Sequence, residues 1–212
     1  MTNRNYSIDV LKFVAAVMVV IVHMSDWFAH QALMPLVRCA VPCFFMISGY
    51  LLYSRDGIGR ERLLRNVRHI AWMCAWTMVL FAVLDVCCIV FAHLREWPTL
   101  KDLRNLIFLN VYPFSSLGGH LWYILAYLYV LLIMMFVDKH RLWRWLFAAT
   151  PLLWAGYMWL EYHQFPDISY RNFLFEGIPC FAVGAMVKHW RDCIFKCLNR
   201  KLAWGGQFFS LF

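Results

Sequence analysis

The chain has 212 residues, of which 63% are hydrophobic, 18% aromatic and 15% charged, with a mean hydropathy of +0.58 and a formal net charge of +8. Soluble domains average about 45–50% apolar and about 25% charged residues, so this composition disfavours a water-soluble globule, a disordered tail and a collagen-like fibre. A membrane protein is the class it favours, and since one span takes roughly 20 residues, about six spans fit and ten do not.

The first apolar stretch runs from about Val10 to Ala29. It is too long for the core of a signal peptide, and no small-residue cleavage site follows Trp27 and Phe28, so it is expected to be an uncleaved first span. Further spans are expected at about 37–53, 70–92, 121–137, 143–160 and 173–187. Each is apolar all round, as helices surrounded by lipid are. The predicted fold is therefore an all-α, polytopic transmembrane helix bundle of about six spans.

Six spans divide the loops into two sets, and fifteen of the twenty Lys and Arg residues fall in the set that includes both ends of the chain. Basic loops tend to stay in the cytoplasm, which predicts both termini inside. The same distribution argues against nucleic acid as a partner, because the charge follows topology and is not gathered on one module. The most basic inner loop is Arg55 to His69. On the outside, Thr99 and Asp102 form a candidate capping box before Leu100, Leu103, Leu106 and Ile107, predicting a short helix on the outer surface or over a cavity.

The eight cysteines form no CxxC pair and no secreted disulfide pattern: Cys39, Cys43, Cys74, Cys87, Cys88 and Cys180 lie in or near spans, and Cys193 and Cys197 in the tail. They read as small hydrophobes, and no metal site is expected.

Ionisable residues at membrane depth are costly, so each asks for a structural or chemical reason. Lys12 and His23 are eleven residues apart, which on a helix puts them on one face with about 16 Å of rise between them. Asp9 lies within reach of Lys12, and Asp26 within reach of His23. A neutral histidine oriented by a carboxylate can take a proton from a hydroxyl; the plainer reading is a hydrogen bond between helices. Taken alone, Lys12 reads better as a snorkelling residue at the cytoplasmic boundary.

In the second span, Pro42 can loosen the helix, while Ser48 and Gly49 permit a close approach, expected to be against the first helix. Arg65 and Arg68, at i and i+3, suit either phosphates of a ligand or anionic headgroups. His120 and Trp122 open the fourth span, either as interfacial residues or as cavity lining. Glu176, one turn into the sixth span, is either a substrate-facing acid or half of an ion pair with Arg171, and Gly177 with Pro179 predicts an irregular helix lining a cavity. Asp85 reads as a polar contact between helices.

Taken in order, these segments resemble the integral-membrane acyltransferase-3 family, which includes bacterial O-acetyltransferases of surface polysaccharides. The resemblance rests on Ile8-Asp9-Val10-Leu11-Lys12 with Val22-His23, on Val41-Pro42-Cys43-Phe44-Phe45-Met46-Ile47-Ser48-Gly49-Tyr50, and on Arg65-x-x-Arg68. It continues through His120-Leu121-Trp122-Tyr123 and through Arg171-Asn172 to Glu176-Gly177-Ile178-Pro179 and Gly184. The chain is also similar to the membrane portions of serine racemases associated with vancomycin resistance.

The resemblance implies a bacterial inner-membrane, multi-pass enzyme moving an acyl group from acetyl-CoA or another acyl-CoA to a hydroxyl of a glycan or lipid-linked sugar, with no permanently bound cofactor. It makes His23 the catalytic base with Asp26 beside it, Lys12, Arg65 and Arg68 donor-binding residues, and Ser48, His120, Trp122 and Glu176 acceptor-binding or cavity-lining residues. Lys12 stands where many relatives carry arginine, and Ala71 where many carry proline. The expected division is a membrane acyltransferase-like domain over 1–187 and a basic cytoplasmic segment over 188–212 that opens an incomplete hydrophobic stretch. Relatives usually have about ten spans, so truncation at the C-terminus is expected, with a homo-oligomer or a completing subunit as possible partners besides the bilayer. The alternative is a non-catalytic membrane module that binds or transports a small polar solute such as an amino acid.

Overall fold

Apolar runs with few breakers become helices along the chain, described by a computed structural model over residues 6–24, 34–54, 57–92, 97, 99–109, 121–163, 172–191 and 193. In order they are α1 (Tyr6–His23), α2 (Met34–Arg38), α3 (Ala40–Leu52), α4 (Arg60–Ala92), α5 (Leu100–Leu109), α6 (Trp122–Lys139), α7 (Trp143–His163), a π-helical turn (Phe173–Gly177) and α8 (Ile178–His189). Among the described residues no strand forms, and Ser54 and Gly57 make an isolated bridge. Among the described residues, four helical segments are long and apolar enough to cross a membrane: Tyr6–His23, Met34–Leu52, Arg60–Phe91 and Trp122–Lys139.

The breaks have local causes. Proline cannot donate to the carbonyl four residues back and its ring crowds that carbonyl. Pro42 therefore has no N–H for Arg38, and the helix is interrupted between the two, at Cys39, as the loosening role predicted. Near the other end of the chain, Asn172 accepts from the amides of Leu174 (2.9 Å) and Phe175 (3.0 Å) and starts a new helix. The Asn172 carbonyl then takes the amides of both Glu176 and Gly177, each at 3.1 Å, so the turn is one residue wide of α-helical register. Pro179 follows in the first turn of α8, and the predicted irregular helix is this π-turn.

The core gathers Phe45 of α3, Val130, Leu131 and Met134 of α6, and Phe181 of α8, all fully buried. Phe45 meets Tyr123 edge-on at 5.1 Å between ring centres and Tyr127 at 6.0 Å. Helices α3 and α8 lie side by side at backbone contact. A Cβ on Gly184 would run into the carbonyl of Met46, and one on Gly49 into the carbonyl of Phe181. The close approach expected at Gly49 thus exists, but its partner is α8 and not α1, because α8 answers with a glycine of its own while α1 has none to offer. Helix α1 does lie along α2 and α3, burying Ala15 as its single fully buried residue.

Two other expectations change. The basic inner loop of 55–69 is helical from Arg60 onward, because Arg60 to His69 contains no glycine or proline and Leu63 is buried against the core. The capping box at α5 forms by half. The Asp102 carboxylate accepts from the Thr99 amide (2.8 Å), but the Thr99 hydroxyl donates to the same carboxylate (2.6 Å) instead of accepting from a helix amide.

Candidate active site

Three of the residues singled out by sequence come together. His23 at the end of α1, Trp122 at the start of α6 and Glu176 in the π-turn all line one cavity of about 550 Å³. Their placement follows from the breaks just described. The π-turn places Glu176 inward, 8% exposed, while Arg38 and Cys39, at the interruption before Pro42, line the cavity too. Tyr157 and Glu161, one turn apart on α7, complete a polar lining around an otherwise apolar wall. His23 itself is exposed toward the cavity.

Sequence reasoning missed Arg38, Tyr157 and Glu161. The usable signal for Arg38 is its place four residues before Pro42, which marks a helix break. Tyr157 and Glu161 carried a usable signal, a polar pair at i and i+4 on a helix that is otherwise apolar.

The remaining predicted residues lie elsewhere or outside the described residues, as Asp26, His120 and Arg171 do. Lys12 is on α1 below His23, its Nζ 3.8 Å from Asp9 Oδ1, so the reach foreseen between them is realised. The Ser48 hydroxyl donates to the Phe44 carbonyl of its own helix at 2.8 Å and is not part of the cavity lining. It stands instead next to Tyr127 in the α3–α6 interface. Arg65 and Arg68 are exposed on α4 beside His69 and Trp72, again away from the cavity. Asp85 is completely buried on α4.

An exposed imidazole and a buried carboxylate bordering one cavity form the minimum set for proton transfer: one group to accept a proton and one to favour the cation that results. A family model described as an acyltransferase domain matches residues 5–208. The chain belongs to the acyltransferase-3 family. An amino-acid racemase of Enterococcus faecalis is 29% identical over 137 residues, which is 58% of this chain and 18% of that protein. The chain therefore spans about a fifth of that relative's length. No solved structure is significantly similar. Membership in the family supports a membrane acyltransferase, and the length and apolar composition of the four helical segments suit a membrane protein.

Proposed function

We propose that the chain transfers an acyl group, in the simplest case acetyl, from a coenzyme A thioester to a hydroxyl of a cell-surface glycan or lipid-linked sugar. The observation that carries this reading is the convergence of His23, Trp122 and Glu176, drawn from three distant stretches of sequence, on one cavity. In this reading neutral His23 takes the proton of the acceptor hydroxyl as its oxygen attacks the thioester carbonyl. A C–O bond forms, the C–S bond breaks, and the imidazolium returns the proton to the departing thiolate. Glu176 favours the imidazolium, and Trp122 offers an aromatic face of the kind that covers the apolar side of a sugar ring. Asp26 is proposed to hold the second nitrogen of His23. Lys12, Arg65 and Arg68, toward the opposite end of α1 and on the first turns of α4, are proposed to draw in the phosphates of the donor.

Replacing His23 by alanine is expected to lower acyl transfer by about 10²–10⁴-fold, the usual worth of a general base. The measurement is acetylation of cell-surface glycan in a strain lacking other acetyltransferases, and full acetylation by His23→Ala overturns the assignment.

A second reading has one observation in its favour. Arg38 lines the same cavity as Glu161 and Glu176, a pairing of opposite charges that suits a zwitterion such as an amino acid. Uptake of such a solute into liposomes containing the full chain, without thioester cleavage, would favour binding or transport over acyl transfer.

A further inference from the structure

Acyl transfer at His23, the reading on which this inference rests, makes a demand that the groups assigned so far do not meet. As the acceptor oxygen bonds to the thioester carbon, an electron pair of the C=O bond moves onto the carbonyl oxygen and leaves it negative. His23 holds the acceptor's proton at that moment, and the carboxylate of Glu176 has the wrong sign to stabilise an oxyanion. One donor aimed at that oxygen is worth about 10²–10³-fold in rate.

Among the residues that line the cavity of about 550 Å³, Arg38 is the one with a permanent positive charge. Trp122 and Tyr157 are neutral donors, Glu161 and Glu176 are acids, and the Cys39 thiol is turned back onto the Pro35 carbonyl at 3.3 Å. Arg38 is exposed and, among the described residues, makes no hydrogen bond or ion pair, with Glu161 or with any other acid. Its N–H donors are therefore open to a bound group.

The break before Pro42 explains how the guanidinium comes to be there. Arg38 closes α2, and Val37 and Ala40 on either side of the interruption are buried, at 5% and 1% exposure. Those two residues anchor the backbone, while Arg38 and Cys39 between them are exposed and line the cavity. The charge is thus carried on anchored backbone, as a preorganised electrostatic group requires.

We propose that Arg38 is a further catalytic residue, its guanidinium donating to the carbonyl oxygen of the acyl group as that oxygen becomes an oxyanion. No proton leaves Arg38. The electron pair returns to re-form the C=O bond as the C–S bond breaks, and the His23 imidazolium protonates the departing thiolate. An interaction made only in the transition state falls on kcat and leaves KM in place. If the same guanidinium held an anionic group of the acceptor, the bond would already exist in the ground state and its loss would fall on KM.

The test uses the full chain in nanodiscs, with acetyl-CoA as donor and the glycan and glycolipid fraction of a strain lacking the chain as acceptor, and follows release of the coenzyme A thiol. Arg38→Gln is expected to lower kcat by about 10²-fold or more, with KM for the acceptor within about threefold. Arg38→Lys keeps a point charge but loses the fork of donors, and is expected to fall between Arg38→Gln and the unmodified chain. Guanidinium ion added to Arg38→Ala is expected to restore part of the lost kcat, which separates a missing charge from a misfolded chain. An unchanged kcat in Arg38→Gln, a loss confined to KM, or a loss of kcat that neither Arg38→Lys nor added guanidinium relieves overturns the proposal. Failure of the acyl-transfer reading itself looks different, because the unmodified chain then releases no coenzyme A thiol.

Discussion

The two ends of the bundle are built on opposite principles. At the Tyr53 end, polar groups are paired with one another. The Tyr53 hydroxyl is 3.1 Å from His189 Nδ1, the Tyr53 ring meets Trp143 edge-on at 4.8 Å between centres, and Asp138 joins the start of α4 to Trp143. At the His23 end the polar groups border a cavity, and they arrive from α1, α2, α6, α7 and the π-turn. Fixed geometry at an active site has to come from the scaffold around it. Here it comes from the α3–α8 seam and the locked end below.

The sharpest way to break this contrast is to force the seam apart. Gly184→Ala and Gly49→Ala each drive a methyl group into a facing backbone carbonyl, which a side-chain rotation cannot relieve. Each is expected to destabilise the bundle by about 1–3 kcal/mol or more, the cost of overpacking, and the pair together to abolish folding. Thermal unfolding in detergent checks this. Stability equal to the unmodified chain would show that the two helices do not rely on that contact.

How far the seam was legible from sequence shows what apolar patterns contain. Gly49 announced a close approach, yet all the expected spans are apolar on every face, so nothing in their periodicity told α1 from α8 as the partner. The cavity was half legible for a related reason. His23 and Glu176 stand out because a charge inside an apolar run is costly. Arg38 and Glu161 sit at the ends of runs, where a charge is ordinary, and only the break at Cys39 and the course of α7 bring them to His23. The basic stretch from Arg60 to His69 was mistaken for a loop because hydropathy marks where a helix leaves the apolar layer and not where it stops.

A milder change sharpens the comparison from the locked end. Tyr53→Phe removes one hydroxyl from the contact with His189 and keeps the ring packing. It is expected to cost about 0.5–1.5 kcal/mol in thermal unfolding while acyl transfer stays at its original rate. Loss of transfer without loss of stability would mean that the two ends are coupled and do not divide the work.

The smallest expected effect lies on α5, outside both ends. Hydrogen bonds from the Thr99 hydroxyl and amide hold the Asp102 carboxyl below its ordinary value of 3.8. A carboxylate with a lowered pKa contributes stability above its unfolded value, and that contribution is lost as pH falls through the folded one. Hydrogen exchange in α5 is therefore expected to speed up below about pH 4 beyond the intrinsic rate, with Asp102→Asn removing the dependence. A dependence that survives in Asp102→Asn would assign it to another group.

Helix α4 carries a consequence for the membrane around it. Its 33 residues extend about 50 Å, against roughly 30 Å of hydrocarbon in a typical bilayer. The apolar part begins near Ile70, so the first turns, with Arg60, Arg62, Arg65 and Arg68, stand beyond the apolar layer when the rest is immersed. A thinner bilayer is then met by tilting α4 and a thicker one by standing it upright, and either adjustment swings the basic turns sideways along the membrane surface. Bilayer thickness thereby becomes a variable that sets where those arginines stand relative to the headgroups.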